Sequence, residues 1–164
     1  MPNHCTNTLL IKGDLKHRQE FVDKNKGFAW GDTAKKGKYK TLSFNAQVPM
    51  PKKHIASNAK SKVNDDWYPW AKKHWGTKWD CYEEELVHEK NYTCYSFETA
   101  WCPPIEWVKK VSRNFPHLEF NGEWAESGGT GGKIMFQGGE CFYDEAMTEE
   151  EWNQHQGIVE DEDW

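Results

Sequence analysis

The stretch YTCYSFETAWCPPIEWVKKVSRNFPHLEFNGEW, Tyr92 to Trp124, changes its hydrophobic period twice, and that change decides the fold. In its first third Tyr95, Phe97, Thr99 and Trp101 recur at every second position, the pattern of a strand with one buried face. Cys102-Pro103-Pro104 then opens a helix in which Pro104, Val108, Val111 and Phe115 share a stripe. A proline suits the first turn, where a backbone N–H would have no partner. Pro116 halts the helix, and Leu118, Phe120 and Trp124 alternate with Glu119, Asn121 and Glu123 as a further strand. Strand, helix and strand in succession make a βαβ-type unit.

The N-terminal part carries a similar signal. Thr6 to Lys12 reads as a strand stopped by Gly13, and Asp14 caps a helix with Leu15, Phe21 and Val22 on its inner side. Residues 23–40, rich in Lys and Gly, read as a loop with Phe28 and Trp30 tucked back. Leu42, Phe44, Ala46 and Val48 alternate with Ser43, Asn45 and Gln47, which predicts a strand ended by Pro49 and Pro51. Residues 52–91 show no single regular element. Within them Trp67, Trp70, Ala71 and His74 fall at i, i+3, i+4 and i+7, a short helix capped by Asp65 or Asp66. Gly128 to Gly132 is a flexible turn, and Lys133–Phe136 with Cys141–Tyr143 complete a terminal strand or hairpin.

The order is β-α-β, an insertion, then β-α-β and a further β. It predicts an α+β protein: a ferredoxin-like antiparallel sheet with two helices on one face and an aromatic-rich insertion before the middle strand. Residues 1–144 form that domain, with the insertion at about 52–91, and residues 145–164 form an acidic tail. A chain of 164 residues can bury a core without staples, and its 15% aromatic content offsets an apolar fraction of only 37%.

The net charge of −5 is unevenly placed. Glu145, Glu149, Glu150, Glu151, Glu160, Asp161, Glu162 and Asp163 carry −8, which leaves residues 1–144 at +3. Such a tail reads as a solvated end or as a cover for a basic site. The widely spaced Cys5, Cys81, Cys94, Cys102 and Cys141 are odd in number. With no secretory leader they read as reduced thiols of a cytoplasmic protein. No apolar run reaches membrane-spanning length.

Trp75-Gly76-Thr77-Lys78-Trp79-Asp80 gathers two indoles, a hydroxyl, a cation and a carboxylate into six residues. Two readings stand. Thr77 and Lys78 bind a phosphate while Trp75 or Trp79 stacks on a base, or Lys78 and Asp80 pair locally while the indoles plug the sheet. His54, His74, Cys81, His88, Cys94 and Cys102 lack the spacing of a metal site, so no metal or cofactor is expected. A hydrolase would draw its base from His74 or His88 and its acid from Glu98, Glu123 or Asp80. A nucleic-acid module would use aromatics on the uncovered sheet face and the lysines Lys35, Lys36, Lys38, Lys40, Lys52, Lys53, Lys60, Lys62, Lys72 and Lys73.

His74-Trp75-Gly76-Thr77-Lys78-Trp79-Asp80, followed by Phe97-Glu98-Thr99-Ala100-Trp101-Cys102-Pro103-Pro104, resembles the YubB ferredoxin-like domain family of phages and conjugative plasmids. Met1-Pro2-Asn3-His4-Cys5-Thr6-Asn7 and Gly122-Glu123-Trp124-Ala125-Glu126 fit the same pattern. The resemblance implies the ferredoxin-like fold and a mobile-element origin. With the motif it gives the leading expectation, an accessory protein of counter-defence type, in the cytoplasm of the bacterial host, that binds without turnover. Its partner is a nucleotide-like signal or a host defence protein. In the ligand site Trp75, Trp79 and Trp101 stack on or wall the ligand, Lys73 and Lys78 contact phosphate, and Thr77 and Asp80 orient polar edges beside His74. A nucleotide or phosphodiester hydrolase and a single-stranded nucleic-acid-binding module are the alternatives.

Overall fold

The computed structural model describes residues 3–28, 39–51, 54 and 67–155. Strand β1 (His4–Lys12) buries alternate residues Cys5, Asn7, Leu9 and Ile11, as the two-residue period of a strand requires. Gly13 turns the chain, and the Asp14 carboxylate accepts the His17 backbone N–H at 2.8 Å to cap helix α1 (Leu15–Asn25). Phe21 and Val22 lie inside, but Leu15 is 45% exposed, because it opens the first turn at the sheet's rim. A two-residue ladder joins β2 (Gly27–Phe28) to β3 (Tyr39–Lys40). Trp30, and the lysines at 35, 36, 38, 52, 53, 60 and 62, lie outside the described residues, as do Asp65 and Asp66, the expected cap of the next helix.

The strand expected over 42–48 is instead a single helical turn, α2 (Phe44–Gln47). Leu42 and Phe44 are still fully buried, so the alternation located the core residues correctly. Backbone geometry is set by a distant group: the Asp80 carboxylate accepts the N–H groups of Phe44 at 2.7 Å and Asn45 at 3.3 Å, which holds the chain at a helix start. Helix α3 (Trp67–His74) follows, where the aromatic spacing placed it.

The insertion also contains a strand that the sequence reading missed, β4 (Tyr82–His88), which pairs with β5 (Thr93–Ala100). It is an edge strand with alternately half-buried and exposed residues, so Glu83-Glu84-Glu85 mask any apolar signal. Helix α4 (Ile105–Asn114) leads to β6 (Glu119–Glu126), β7 (Gly131–Gln137) and β8 (Glu140–Ala146), and α5 (Glu149–His155) closes the described chain.

The six strands lie in the order β4-β5-β1-β6-β7-β8, every neighbouring pair antiparallel. Elements β1, α1, β4, β5, α4 and β6 give the ferredoxin-like β-α-β-β-α-β unit, with β4-β5-β1-β6 in space, and β7 and β8 extend it as a meander. Both helices cover one face. Phe21 of α1 meets Tyr95 and Phe120 of the sheet edge-on, at 6.1 and 5.1 Å between ring centroids, and Phe115 beyond α4 at 5.1 Å. Trp107 of α4 packs on Phe44, at 4.9 Å.

Buried Arg18 ties α1 to the β4–β5 turn by donating to Gly13 O and Glu89 O at 2.8 Å, to Thr93 Oγ1 at 3.0 Å and to Lys90 O. These neutral acceptors satisfy the guanidinium without an acid.

The register fixes what the other face presents. One row across all six strands reads Glu85, Ser96, Thr8, Glu123, Lys133, Glu145. A parallel row reads Val87, Cys94, Leu10, Asn121, Met135, Tyr143. The acidic segment begins inside the sheet, since Glu145 and Ala146 belong to β8. Its helix α5 folds over the uncovered face: Trp152 Nε1 donates to Glu126 O at 3.1 Å, and Glu151 pairs with Lys133. The domain boundary expected after residue 144 therefore falls within a strand. No helix among the described residues is long and apolar enough to cross a membrane.

Candidate functional site

The turn Trp75 to Asp80 begins where α3 ends. Trp75 N–H and Gly76 N–H both donate to Ala71 O, at 2.8 and 3.1 Å. Gly76 takes φ +84°, the left-handed conformation that closes helices. It also lies flat against the start of α4, where an added Cβ would sit 3.2 Å from the backbone nitrogens of Ile105 and Glu106. Trp107 N–H donates to Trp75 O at 3.2 Å and Cys102 Sγ donates to Gly76 O at 3.0 Å, so the turn is pinned to α4.

Three residues expected to meet a ligand face inward. Trp75 is fully buried, packs on Phe44 and Trp70 at 6.1 and 5.3 Å, and donates its indole N–H to Val48 O at 2.9 Å. Thr77, also fully buried, donates its hydroxyl to Trp79 O at 2.7 Å, closing the turn on itself. Asp80 accepts from Ser43 Oγ at 2.9 Å, Phe44 N–H at 2.7 Å and Cys81 N–H at 2.8 Å. The stacking, phosphate and orienting roles expected of Trp75, Thr77 and Asp80 are therefore replaced by structural ones: the core, the turn and the cap use up their polar groups. The local Lys78–Asp80 pair is absent too.

Lys78 and Trp79 remain at the surface, half-buried. The Lys78 ammonium lies 4.8 Å from the Trp79 ring centroid and 5.6 Å from that of Tyr68. Tyr68, 39% exposed, and Lys72 stand four residues apart on α3 and so share a side. Lys72 Nζ reaches Gly76 O and Cys102 Sγ, each at 3.5 Å. Lys78 thus lies against two ring faces, and Lys72 stands on the side of α3 that carries one of them. Tyr68 is absent from the expected ligand residues and Lys72 enters only among the lysines of a nucleic-acid module, although their i, i+4 spacing on a predicted helix is a legible signal.

The other expected residues lie apart from this surface or beside it. His74 stacks on Trp70 at 4.5 Å and bonds Lys110 through Nδ1. Partial burial and the nearby Lys110 and Lys73 charges lower its pKa below the usual imidazole value. Its hydrogen-bond partner is a cation, so it lacks the orienting carboxylate of a hydrolase base. Lys73 is exposed next to it. Trp101 does not continue the buried face of β5. It follows the strand in a left-handed conformation, φ +73°, is 49% exposed, and makes no ring contact with Trp79. The backbone reverses there because Trp101 N–H donates to Asn3 O and Cys102 N–H to Ala100 O, both at 2.9 Å.

His88 bonds Thr93 Oγ1 at 2.8 Å and Gln19 Oε1 at 3.0 Å, again without an acid. Among the described residues no three His, Cys, Asp or Glu side chains converge as a metal cage would require. The uncovered sheet face bears carboxylates and hydroxyls at its centre, in place of the aromatic platform expected of an RNA-recognition module.

A comparison with curated proteins returns no match. Among solved structures the chain is similar to a protein api92 from Yersinia pseudotuberculosis, with a TM-score of 0.55 and 13% sequence identity over 69% of this chain. The match spans 42% of that chain, so it speaks for the fold alone. The family described as the ferredoxin-like domain in Api92-like protein matches residues 74–163, which include the Trp75–Asp80 turn, α4 and the last three strands. The chain belongs to this family of ferredoxin-like domains in Api92-like proteins.

Proposed function

We propose that this protein is a phage- or plasmid-type accessory protein that acts by binding, without turnover, and that it holds a nucleotide-like anion on the Tyr68, Lys72, Lys78 and Trp79 surface. One observation carries the reading: the Lys78 ammonium lies over the rings of Trp79 and Tyr68, at 4.8 and 5.6 Å, and Lys72 shares a side of α3 with Tyr68. A flat heterocycle stacks on the indole and its phosphate meets the two ammonium groups. Three inward neighbours, Trp75, Thr77 and Asp80, fix the turn that presents the two outward ones. The site is thereby preorganised, which lowers the ordering cost of binding.

The resemblance of the two tryptophan motifs to the YubB ferredoxin-like family supports the mobile-element origin. On that origin, capture of a host signalling nucleotide in the bacterial cytoplasm makes the protein a counter-defence factor. Binding is favoured over hydrolysis because His74 and His88 are held by a lysine and by neutral groups.

The test is calorimetric titration with a panel of linear and cyclic nucleotides, followed by chromatography of the ligand recovered after denaturation. A bound nucleotide is expected back intact. Lys78→Ala and Trp79→Ala are expected to weaken binding about tenfold or more each while the thermal transition is kept. Recovery of a cleaved product would replace this reading with the hydrolase. Undiminished binding by both variants, or no binding across the panel, would remove the site.

A further inference from the structure

The two edges of the sheet are finished differently. Strand β4 is bent by Glu83, at φ +51°, and by the register shift between Tyr82 and Glu85. Lys40 fastens its start, bonding Cys81 O and lying 3.7 Å from Glu84. At the opposite edge β8 pairs, among the described residues, only with β7, and each of its seven residues is exposed. Phe142 is 57% exposed and Tyr143 38%. Met147 N–H donates to Gly131 O at 2.9 Å. An antiparallel ladder alternates, so Glu145 also turns its backbone groups toward β7, and Asp144 and Ala146 turn theirs outward.

That edge has a definite charge. Glu140, Asp144 and Glu145 lie on the strand, and Glu149, Glu150 and Glu151 follow on α5. Lys133, the cation on the neighbouring strand, is already engaged by Glu151. No proline or lysine guards β8, and carboxylate guards repel acidic strands while attracting basic ones.

We propose that β8 is a docking edge for an extended basic segment of a partner protein, which adds to the sheet as a further strand. The outward N–H and C=O groups of Asp144 and Ala146 supply main-chain hydrogen bonds to it. Phe142 and Tyr143 offer apolar contact, and Glu140, Asp144 and Glu145 meet its Lys or Arg side chains. A second copy of this chain is a poor occupant, because three carboxylates would face the same three.

The experiment uses the full chain and a short blocked peptide of alternating Lys and Val, with amide exchange followed residue by residue by NMR. The peptide is expected to slow exchange at Asp144 and Ala146 and to bind about tenfold more weakly when salt is raised from low to physiological. Glu140→Lys with Asp144→Lys, both at exposed positions, is expected to weaken it about tenfold with unchanged circular dichroism. A Lys–Val peptide interrupted by proline is expected not to bind, since it cannot pair along the edge. The proposal falls if the equivalent Glu–Val peptide binds equally well, or if the Lys–Val peptide does not bind. It falls too if protection maps away from β8, or if the chain dimerises through β8 without peptide. These variants leave Tyr68, Lys72, Lys78 and Trp79 untouched.

Discussion

The Asp80 carboxylate accepts the Phe44 backbone N–H at 2.7 Å across 36 positions of the chain, and this contact converts an apparent strand into a helical turn. The same carboxylate binds Ser43 Oγ and Cys81 N–H, so it locks the start of β4 to α2. The most recognisable motif of the sequence therefore ends in a capping residue.

Replacing Asp80 by Ala leaves buried N–H groups without an acceptor and is expected to cost about 2–4 kcal/mol. Asp80→Asn keeps one carbonyl oxygen and falls between the two. Denaturant unfolding gives the stability, and the exchange rate of the Phe44 amide locates the loss at α2. Wild-type stability in Asp80→Ala would show that the cap is dispensable.

Trp75 and Trp79 are expected to respond in opposite ways. Trp75→Ala opens the core between Phe44 and Trp70 and costs about 3–5 kcal/mol. Trp79→Ala, at a half-buried turn position, costs about 1 kcal/mol or less and acts on ligand affinity. Thermal melts of the two variants side by side decide it. Equal destabilisation would mean that Trp79 belongs to the core.

Arg18→Met removes the donor that Gly13 O, Glu89 O and Thr93 Oγ1 share. The expected cost is about 2 kcal/mol, since carbonyls near the β4–β5 turn recover part of their bonding from water. Arg18→Lys is expected to recover little, because one ammonium cannot span acceptors on two elements. A denaturation midpoint for Arg18→Lys equal to wild type would contradict this.

The docking of α5 on the uncovered face depends on pH. The hydrogen bond from Lys133 holds the Glu151 carboxyl below its usual range, and the carboxylate in turn raises the Lys133 pKa. A depressed carboxyl pKa contributes stability above the unfolded value and loses it as pH falls through the folded one. Acidification past the ordinary Glu range is therefore expected to release α5, read from the Trp152 indole N–H resonance as its bond to Glu126 O opens. Glu151→Gln is expected to show the released shift already at neutral pH, modestly because the pair is exposed. A Trp152 signal that is the same in both proteins at every pH would refute the coupling.

Much of the fold was legible in the chain. Alternating Tyr95 and Phe97, and the stripe Val108, Val111, Phe115, specify which side of their strand and helix is buried. Asp14, Pro104 and Pro116 mark helix limits through local chemistry. The βαβ-type unit of residues 92–124 is legible directly. In the N-terminal unit only β1 and α1 are, since its second strand is β4 and not residues 42–48, and the completed β-α-β-β-α-β order makes the ferredoxin-like sheet. What the sequence left open was the orientation of Trp75 to Asp80 and the nature of residues 42–48 and 82–88. A six-residue turn has no period from which an inner side can be read. Its orientation is set by hydrogen-bond partners elsewhere: Val48 O accepts from Trp75, and the Phe44 N–H donates to Asp80. Tertiary structure alone brought Tyr68 and Lys78 together, since a cation and a ring ten positions apart meet only once α3 has ended at Gly76 and the chain has turned back along it.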